Sequence, residues 1–413
     1  LPGLTVARAL ALEGIPVSLV NDRDAHWTGP LGQTDWYSAW RPGDDAAALE
    51  FAADGIDRLE ALWADSGGAF ALDRRGQLLV AERLGTAAAL RTAAGRLAAV
   101  GGGPLREHVG PEWYLPSPNS GFRGVPGGLD LFEASALLSL FPFLTTRARL
   151  AIQVRRAGVV DTRALGRWLL GSLRLEGGLL VSESAVRVEA TGDDAWVVTL
   201  GSGNLLRGRA VVLTGPGARG HADRAGWDLG WADRSLLVGC LGNAAHLLQP
   251  AGSLVVGLDH PPPLGEWSGS ADPLSGVGLG VPVAAPSVEG RLKLEAVIAS
   301  SHCGRGEVSA SAAGVVSALE EVIPSLASHR GPPGNLSVAA SSASLAPDLR
   351  PIVGRADRRG GYLLTGLVAG VTHLLAAAEL TVRYLTEEPS GPLAAAVDPT
   401  RLMPARMPLP GTG

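Results

Sequence analysis

The chain has 413 residues, of which 46% are hydrophobic and 18% are charged, and its formal net charge is −5. This composition indicates a folded globular protein of two or three domains, and it excludes a disordered chain and a basic nucleic-acid-binding surface. The 56 glycines and the many alanines suggest a GC-rich bacterial genome. Cys240 and Cys303 are too few for a disulfide framework and are not spaced as a metal site, so we expect free thiols in a reducing cytoplasm.

The first predicted elements are a short helix and a buried strand. The apolar run Gly3–Gly14 predicts a helix that ends at a glycine, and Pro16–Val20 predicts the strand. Together they form the second half of a βαβ unit. If the unit binds a dinucleotide, Gly3 is the third glycine of its fingerprint. Asn21 and Asp22 then stand about 20 residues further on, where a ribose-binding residue is expected. The same piece also fits any other α/β protein.

The first strand and the first two glycines of such a dinucleotide-binding unit would stand before Leu1. We therefore expect that the chain is truncated at its N-terminus. The missing strand is normally central in its parallel sheet, and without it two neighbouring strands would expose apolar edges. We expect poor folding or weak cofactor retention, and stoichiometric cofactor in the purified chain would contradict this expectation.

The middle of the chain predicts a second helix and a strand that reaches a ligand. The helix is predicted at about Thr162–Leu175, with Asp161 or Thr162 as its N-cap. The run Ala210–Thr214 is a buried strand that enters the glycine turn Gly215–Gly217. Such a strand end meets the ligand at the switch point of a parallel sheet. An ordinary buried strand and loop is the alternative.

One segment near the end of the chain is long and uncharged enough to raise the question of a membrane span. This segment, Gly360–Ala378, contains glycines, threonines and a histidine, and a Gly-Gly turn opens it. Its pattern predicts a buried strand at Tyr362–Thr365 and a buried helix at about Gly370–Leu385. We therefore expect no membrane span.

These pieces, in this order, resemble the D-amino-acid-oxidase-like flavoproteins, a superfamily that includes glycine and sarcosine oxidases. The resemblance covers nearly the whole chain. Its matching pieces are Gly3 with its helix, Val17–Asp22, Gly158–Asp161 with its helix, Val186, Val211–Gly217, Pro347–Gly354 and Gly361–Gly366 with the closing helix. Leu131–Leu144 also resembles a helix of the family, one that ends at Pro142.

The resemblance implies a mixed α/β fold. A glutathione-reductase-like, FAD-binding Rossmann domain that lacks its first strand would comprise residues 1–50, 150–225 and 345–413. A substrate domain with a large antiparallel sheet would comprise residues 51–149 and 226–344. The implied cofactor is FAD, and the implied reaction is hydride removal from a C–N or related C–H bond of a small molecule, followed by reoxidation of the flavin.

The resemblance also implies which residues bind the FAD. Its nucleotide half would meet Gly3 under the pyrophosphate, Asn21 or Asp22 at the ribose, the Val186 backbone at the adenine, and Thr214 and Gly215 along the adenosine and pyrophosphate. Its flavin half would meet backbone N–H groups near Gly366 and Gly370, where the positive end of the last helix could stabilise the reduced ring.

The chain departs from the family's pattern at several of these positions. Asn21 stands where the family usually has glutamate, and Ala369 and Val371 replace two glycines of the closing turn. The amino-acid oxidases carry an arginine just before the position of Pro347, and it clamps the substrate carboxylate. Ser341–Ala346 contains no arginine and no flavin-tethering cysteine. The departures argue against FAD tethered through such a cysteine and against a simple α-amino acid as substrate.

Lys293, the only lysine of the chain, is the candidate catalytic residue. The run Leu292–Leu294 resembles the sarcosine-oxidase strand whose lysine lies near the flavin and assists its reaction with oxygen. The alternative is a lysine on the solvent face of an ordinary strand.

The predicted function is therefore that of an FAD-dependent oxidoreductase acting on an amine or a related substrate. A catalytically degenerate flavoprotein that serves as a binding module is the alternative, and the missing arginine and glycines favour it. A flavin monooxygenase is a third possibility, but the chain lacks a nicotinamide-binding signature. The expected partner is a small-molecule substrate, with no nucleic acid and no membrane span, and the oligomeric state is not indicated.

Overall fold

The computed structural model describes residues 1–21, 34–40, 46–117, 121–191, 195–215, 218–227, 232–241, 255–258, 283–286, 292–298, 316–317, 319–329, 336–346, 350–356, 360–365, 371–387 and 391–402. For the strands within residues 232–298 and 336–345, the description concerns the backbone only.

The helices and strands alternate along the first half of the described chain. The helices are α1 (Pro2–Leu12), α2 (Ala46–Asp65), α3 (Leu84–Ala99), α4 (Ala134–Leu140), α5 (Thr162–Leu175), α6 (Ala218–Arg224), α7 (Ser325–His329), α8 (Val371–Thr386) and α9 (Pro392–Val397), followed by a 3₁₀ helix at Pro399–Leu402. The strands of the first half are β1 (Ser18–Val20), β2 (Thr34–Ser38), β3 (Leu72–Asp73), β4 (Gln77–Ala81), β5 (Leu105–His108), β6 (Leu129–Glu133), β7 (Leu150–Val154) and β8 (Ala157–Asp161). Those of the second half are β9 (Leu179–Val181), β10 (Ala185–Thr191), β11 (Ala195–Leu200), β12 (Leu205–Gly208), β13 (Val211–Thr214), β14 (Ala232–Leu241), β15 (Val255–Leu258), β16 (Val283–Pro286), β17 (Leu292–Ile298), β18 (Leu336–Leu345), β19 (Ile352–Arg355) and β20 (Gly361–Thr365).

Two small sheets contain parallel strands. Strand β1 pairs with β9 in parallel, and β13 pairs with β20 in parallel, with β19 antiparallel on the far side of β20. Helix α1 packs against β1 in the first sheet and against β13 and β20 in the second. The amphipathic helix α1 therefore joins both sheets through its apolar residues, including Leu4, Val6 and Leu10.

The largest sheet has nine strands in the order β18-β14-β17-β16-β15-β4-β7-β6-β5. Its pairings are antiparallel except for β4 with β15 and β5 with β6. The large sheet is therefore mainly antiparallel, as the resemblance implied, with two parallel pairs. Helix α3 packs on one face of it through Leu90, Ala94 and Leu97. The predicted domain boundaries stay a prediction.

Helices α2 and α8 cross at a position where only glycine fits. A Cβ atom on Gly55 would lie 2.0 Å from the backbone carbonyl oxygen of Thr372. The Thr372 hydroxyl accepts a hydrogen bond from the backbone N–H of Ser38 at 3.1 Å, and His373 stacks on Phe51 with ring centroids 5.4 Å apart. The start of α8 is therefore fixed by α2 and by the end of β2.

The structure confirms most of the predicted elements. Helix α5 has the predicted bounds, and the Asp161 side chain caps it by accepting a hydrogen bond from the backbone N–H of Ala164 at 2.8 Å. The described residues of the segment Gly360–Ala378 form β20 and the first half of α8, as predicted. Among the helices of the described residues, none has the length and apolarity that a membrane crossing needs.

The prediction of a helix over Leu131–Leu144 is wrong in its first part. Residues Leu129–Glu133 form β6, and the helix α4 covers only Ala134–Leu140. The short apolar run fits a strand and a helix equally well by its sequence pattern, and pairing with β5 and β7 decides for the strand.

Candidate functional site

The carboxyl ends of three strands define the candidate site. Strands β13 and β20 run in parallel with Thr214 opposite Leu364, so both end at one edge of their sheet. Strand β1, which also packs against helix α1, ends at Val20. Ligands of open parallel sheets bind outside the carboxyl ends of the strands, where the connections separate.

At Gly3, helix α1 lies close to a strand of each small sheet. A Cβ atom at Gly3 would lie 2.8 Å from Oγ1 of Thr214 and 3.2 Å from Cδ1 of Leu19. A larger residue would force the first turn of the helix away from the strand ends. The absent side chain therefore lets the helix N-terminus, with its unpaired backbone N–H groups, stand beside the end of β13.

The first turn of α1 suits an anionic group. It contains no acidic side chain, and no side chain caps it. The backbone N–H groups of a helix N-terminus are donors aimed along the helix axis, and the helix dipole favours negative charge there. The turn and the adjoining strand end have the chemistry that a pyrophosphate needs.

The turn after β13 has a backbone conformation that favours glycine. Gly215 has a φ of +74°, and a Cβ atom built on it would have no described atom within 4 Å. Its carbonyl oxygen accepts a hydrogen bond from the backbone N–H of Ala218, at the start of α6, at 3.1 Å. Gly215 thus joins the end of β13 to the start of α6 by a backbone hydrogen bond, in a conformation that favours glycine.

Val186 lies at an irregularity of the strand ladder. In the pairing of β10 with β11, Ala185 is opposite Leu200 and Arg187 is opposite Thr199, with a register shift between them. Val186 falls in this bulge, and its side chain is 57% exposed. A bulge takes one residue out of the regular ladder and redirects its backbone groups, which is what a backbone contact to a ligand requires.

The remaining predicted residues are placed only in part. The backbone N–H of Asn21 donates to the carbonyl oxygen of Val181 at 3.0 Å, which joins the end of β1 to the end of β9. Asp22, Gly366 and Gly370 lie outside the described residues. The structure therefore brings Gly3 and Thr214 together and leaves the flavin end of the predicted site undescribed.

Lys293 lies in β17, opposite Cys240 of β14 and Ala285 of β16. This places it in the interior of the nine-stranded sheet, with a strand on each side. Ser341–Leu345, the run without an arginine, forms the end of β18 on the far side of β14.

A buried charged cluster in the nine-stranded sheet was not predicted from the sequence. Asp130 of β6 is fully buried and accepts hydrogen bonds from Nε of Arg106 at 2.7 Å and from Nε of Arg155, and it contacts Nε2 of His108 at 2.9 Å. Burial alone would raise the pKa of Asp130, but the hydrogen bonds from these partners outweigh it and hold the pKa below its usual value. The available signals were Arg106 and His108 at alternate positions of β5 and an aspartate between two leucines in β6.

The charged cluster also fixes the loop that follows β5. The Arg155 guanidinium donates to the carbonyl oxygen of Leu115, and the Tyr114 hydroxyl donates to Oε1 of Gln153 at 3.0 Å. Burial is the main reason that the pKa of Tyr114 is raised to about 12, so its hydroxyl is protonated at neutral pH. These groups use one another as partners, which makes the cluster a structural feature of the sheet.

A family model described as DAO, FAD-dependent oxidoreductase, matches residues 2–384. The chain belongs to the DAO family of FAD-dependent oxidoreductases. FAD is therefore its cofactor, and the residues described at the strand ends fit the nucleotide half of FAD: a glycine under a close helix N-terminus, an open glycine turn and a strand bulge. No curated protein matches the chain.

Solved structures share this DAO fold at low sequence identity. Glycine oxidase from Geobacillus kaustophilus is 13% identical with a TM-score of 0.72, over 95% of this chain and 94% of that one. Iminodiacetate oxidase from Chelativorans sp. BNC1 is 18% identical with a TM-score of 0.67, over 96% of both chains. L-α-glycerophosphate oxidase from Mycoplasma pneumoniae, reduced and with FAD bound, is 13% identical with a TM-score of 0.66, over 94% of both chains.

Proposed function

We propose that the chain oxidises an amine, or a substrate with a related C–H bond, that is not a simple α-amino acid. The observation that carries the proposal is the close approach of Gly3 to Thr214 and Leu19. It builds the helix terminus and strand edge that FAD needs in an enzyme of the DAO family. Bound FAD supplies the chemistry of hydride acceptance, and the chain supplies binding and orientation.

We assign the nucleotide half of FAD to the described edge. Gly3 packs under the pyrophosphate, Asn21 with Asp22 binds the ribose, and the backbone of Val186 contacts the adenine. Thr214 and Gly215 line the path between them. The open turn at Gly215 and the bulge at Val186 support this assignment. Asn21 donates and accepts neutral hydrogen bonds, so its contact to a ribose is weaker than that of a glutamate.

The flavin half is assigned to the segment between β20 and α8. Gly366 and Gly370 flank this connection, which starts at the same sheet edge as Thr214. The described start of α8 at Val371 is held by the contacts of Thr372 with α2 and β2. Backbone N–H groups at the beginning of this 16-residue helix would face the ring system.

The composition of β18 argues against a plain amino acid as substrate. An arginine that clamps a carboxylate does so through two parallel charge-assisted hydrogen bonds, and a serine cannot replace them. The end of β18 reads Ser-Ser-Ala-Ser-Leu. A neutral amine, or one whose acidic group is masked, fits such a site better than a free α-carboxylate.

Lys293 is assigned to the reoxidation half of the reaction. A fixed ammonium group stabilises negative charge that develops on an electron acceptor such as oxygen. It has no part in binding the FAD or in hydride transfer. Its substitution is therefore expected to separate the two half-reactions.

The proposal is tested on protein reconstituted with FAD. Under air-free conditions, a panel of primary, secondary and cyclic amines is added, each paired with the α-amino acid that carries the same side chain. We expect an amine to bleach the flavin absorption while its paired amino acid does not. Bleaching by the amino acids alone contradicts the substrate assignment.

A matched pair of variants tests Lys293. We expect K293M to slow reoxidation of the reduced enzyme by oxygen by at least tenfold and to leave air-free bleaching unchanged, while K293R keeps most of the oxygen reaction. Equal loss of both half-reactions in K293M contradicts the assigned role.

The alternative of a degenerate flavoprotein that binds without turnover is favoured by one set of observations. The chain has Ala369 and Val371 at two glycine positions of the family and lacks the substrate arginine. Tightly bound FAD that no amine of the panel bleaches would support this alternative over the amine oxidase. If the protein also consumes no NAD(P)H, the alternative is supported over a monooxygenase as well.

A further inference from the structure

The 3₁₀ helix at Pro399–Leu402 packs against β19, the strand beside the end of β20. Strand β19 begins at Ile352, which lies opposite Thr365, the last residue of β20. Residues 366–370, here called the flavin segment because the flavin half of FAD is assigned to them, follow Thr365 directly. A contact that fixes the chain just before Ile352 therefore bears on the place where the flavin segment begins.

Arg401 joins the 3₁₀ helix to the residues just before β19 through one guanidinium group. Its Nη2 donates to the backbone carbonyl oxygens of Arg350 at 3.2 Å and Pro351 at 3.1 Å. Its Nη1 donates to those of Val397 at 2.7 Å and Asp398 at 2.9 Å. Because the donors of a guanidinium form a rigid planar fork, the two pairs of carbonyl oxygens are held at a fixed separation.

Asp398 links the same turn to the end of α8 and to β19. Its Oδ2 accepts a hydrogen bond from the Tyr384 hydroxyl at 2.6 Å, and its Oδ1 accepts one from the backbone N–H of Thr400 at 2.8 Å. A Cβ atom on Gly354 of β19 would lie 2.8 Å from Cδ of Pro399 and 3.1 Å from Oδ2 of Asp398. The turn is therefore seated directly on β19, with no room for a side chain between them.

These contacts close a ring around the flavin segment. Strand β20 leads into the segment, and α8 begins directly after it. Tyr384 near the end of α8 holds Asp398, Arg401 holds the residues before β19, and β19 pairs with β20. A binding segment whose two ends are tied together in this way loses less conformational entropy when it orders around a ligand.

We propose that Arg401 is a positioning residue for the flavin: its guanidinium holds the start of β19 so that the flavin segment keeps the conformation that receives the ring system. Tyr384 supports it through Asp398. The inference rests on the proposed assignment of residues 366–370 to the flavin. The nucleotide half of FAD is assigned to other residues, so the inference predicts an effect on the flavin half alone.

The test compares the affinity of the cofactor-free full chain for FAD and for ADP, which shares the nucleotide half and lacks the flavin. Flavin fluorescence gives the dissociation constant of FAD, and displacement of FAD by ADP gives that of ADP. R401M keeps an unbranched side chain and removes every donor. We expect R401M to weaken FAD by at least about fivefold and to leave ADP within about twofold of the unchanged chain.

Two further variants separate positioning from general damage. Y384F removes only the hydrogen bond to Asp398 and is expected to weaken FAD about two- to threefold, again with unchanged ADP affinity. R383M makes the same exchange of arginine for methionine at an exposed position of α8, next to Tyr384, and is expected to change neither affinity.

Each outcome decides the inference. Unchanged FAD affinity in R401M overturns it, and so does an equal loss of FAD and ADP affinity, because a merely structural role weakens both ligands alike. If R401M does not fold, Y384F decides by the same two criteria.

Amide hydrogen exchange of the unchanged chain distinguishes failure of the inference from failure of the proposed flavin site. FAD should slow exchange in a peptide that covers residues 360–371, and ADP should not. If FAD has no effect there, the flavin assignment itself fails and the inference falls with it. If FAD slows this exchange but R401M binds FAD like the unchanged chain, only the inference is overturned.

Discussion

The strand edge around Gly3 and the charged cluster around Asp130 satisfy their polar groups in opposite ways. At the edge, the first turn of α1 has no side-chain cap, and no described atom lies within 4 Å of a Cβ atom built on Gly215. In the nine-stranded sheet, the Asp130 carboxylate is fully buried and takes all its partners from the same sheet, namely Arg106, His108 and Arg155. Donors that the protein leaves unpaired are available to a ligand, whereas a cluster that pairs internally stabilises the fold.

This contrast separates the residues that we expect to bind the cofactor from those that we expect to stabilise the fold. Substitutions in the Asp130 cluster should lower the free energy of unfolding with little direct effect on cofactor contacts. Substitutions at the Gly3 edge should lower cofactor affinity more than the free energy of unfolding. Substitutions at Asp130, Gly3 and Glu133 test this contrast.

Removing the Asp130 carboxylate should have the largest effect on stability. D130A leaves Arg155, whose side chain is 2% exposed, buried without its counter-charge. Breaking a buried ion pair from one side costs about 3–5 kcal/mol. Urea unfolding at pH 7 measures the loss in unfolding free energy, and a loss below about 1 kcal/mol would show that the cluster does not stabilise the fold.

The pH dependence of this loss has a defined sign. Because the folded-state pKa of Asp130 is held below its usual value, the carboxylate stabilises the fold above the unfolded pKa of about 3.9 and less as the pH falls through the folded value. The difference in unfolding free energy between the unchanged chain and D130A should shrink from pH 7 to pH 3. A difference that grows on acidification contradicts this assignment.

A methyl group at Gly3 should have an intermediate effect that reports on the site. In G3A, the new Cβ at 2.8 Å from Oγ1 of Thr214 forces a shift, and overpacking of this kind costs about 1–3 kcal/mol. We expect FAD affinity to fall by at least tenfold. The T214A background removes the contacting oxygen and should lower the cost of G3A; equal costs in both backgrounds mean that another contact is responsible.

An exposed ion pair gives the smallest effect and calibrates the others. Arg91 of α3 pairs with Glu133, the last residue of the strand that carries Asp130, and the two side chains are 43% and 37% exposed. Exposed pairs contribute about 0–1 kcal/mol. E133Q should therefore lower the free energy of unfolding by less than about a third of the loss in D130A, and FAD affinity should not change.

The sequence predicted those elements whose ends carry local signals. Asp161 as N-cap fixed the start of α5, and Gly14, with a φ of +71°, marks the turn after α1. It missed β6 because a five-residue apolar run has no decisive period. It missed the Asp130 cluster because three strands and a register are needed to bring Arg106, His108 and Arg155 to one carboxylate.

The candidate site, too, was predicted from the sequence only in part. Gly3 was predicted from spacing, and its approach to Thr214 is a property of the packed helix that no local pattern contains. The catalytic role of Lys293 remains a prediction from the family resemblance. So do the cofactor-binding roles of Gly3, Asn21, Asp22, Val186, Thr214, Gly215, Gly366 and Gly370.

Amide hydrogen exchange with and without bound FAD tests the location of the site most directly. The proposed function predicts slower exchange on FAD binding in the first turn of α1, around Val186 in β10 and in the Thr214–Gly215 turn, with no change in β5, β6 and β7 around Asp130. Slower exchange confined to the Asp130 strands, or no change at the Gly3 edge despite saturating FAD, would contradict it.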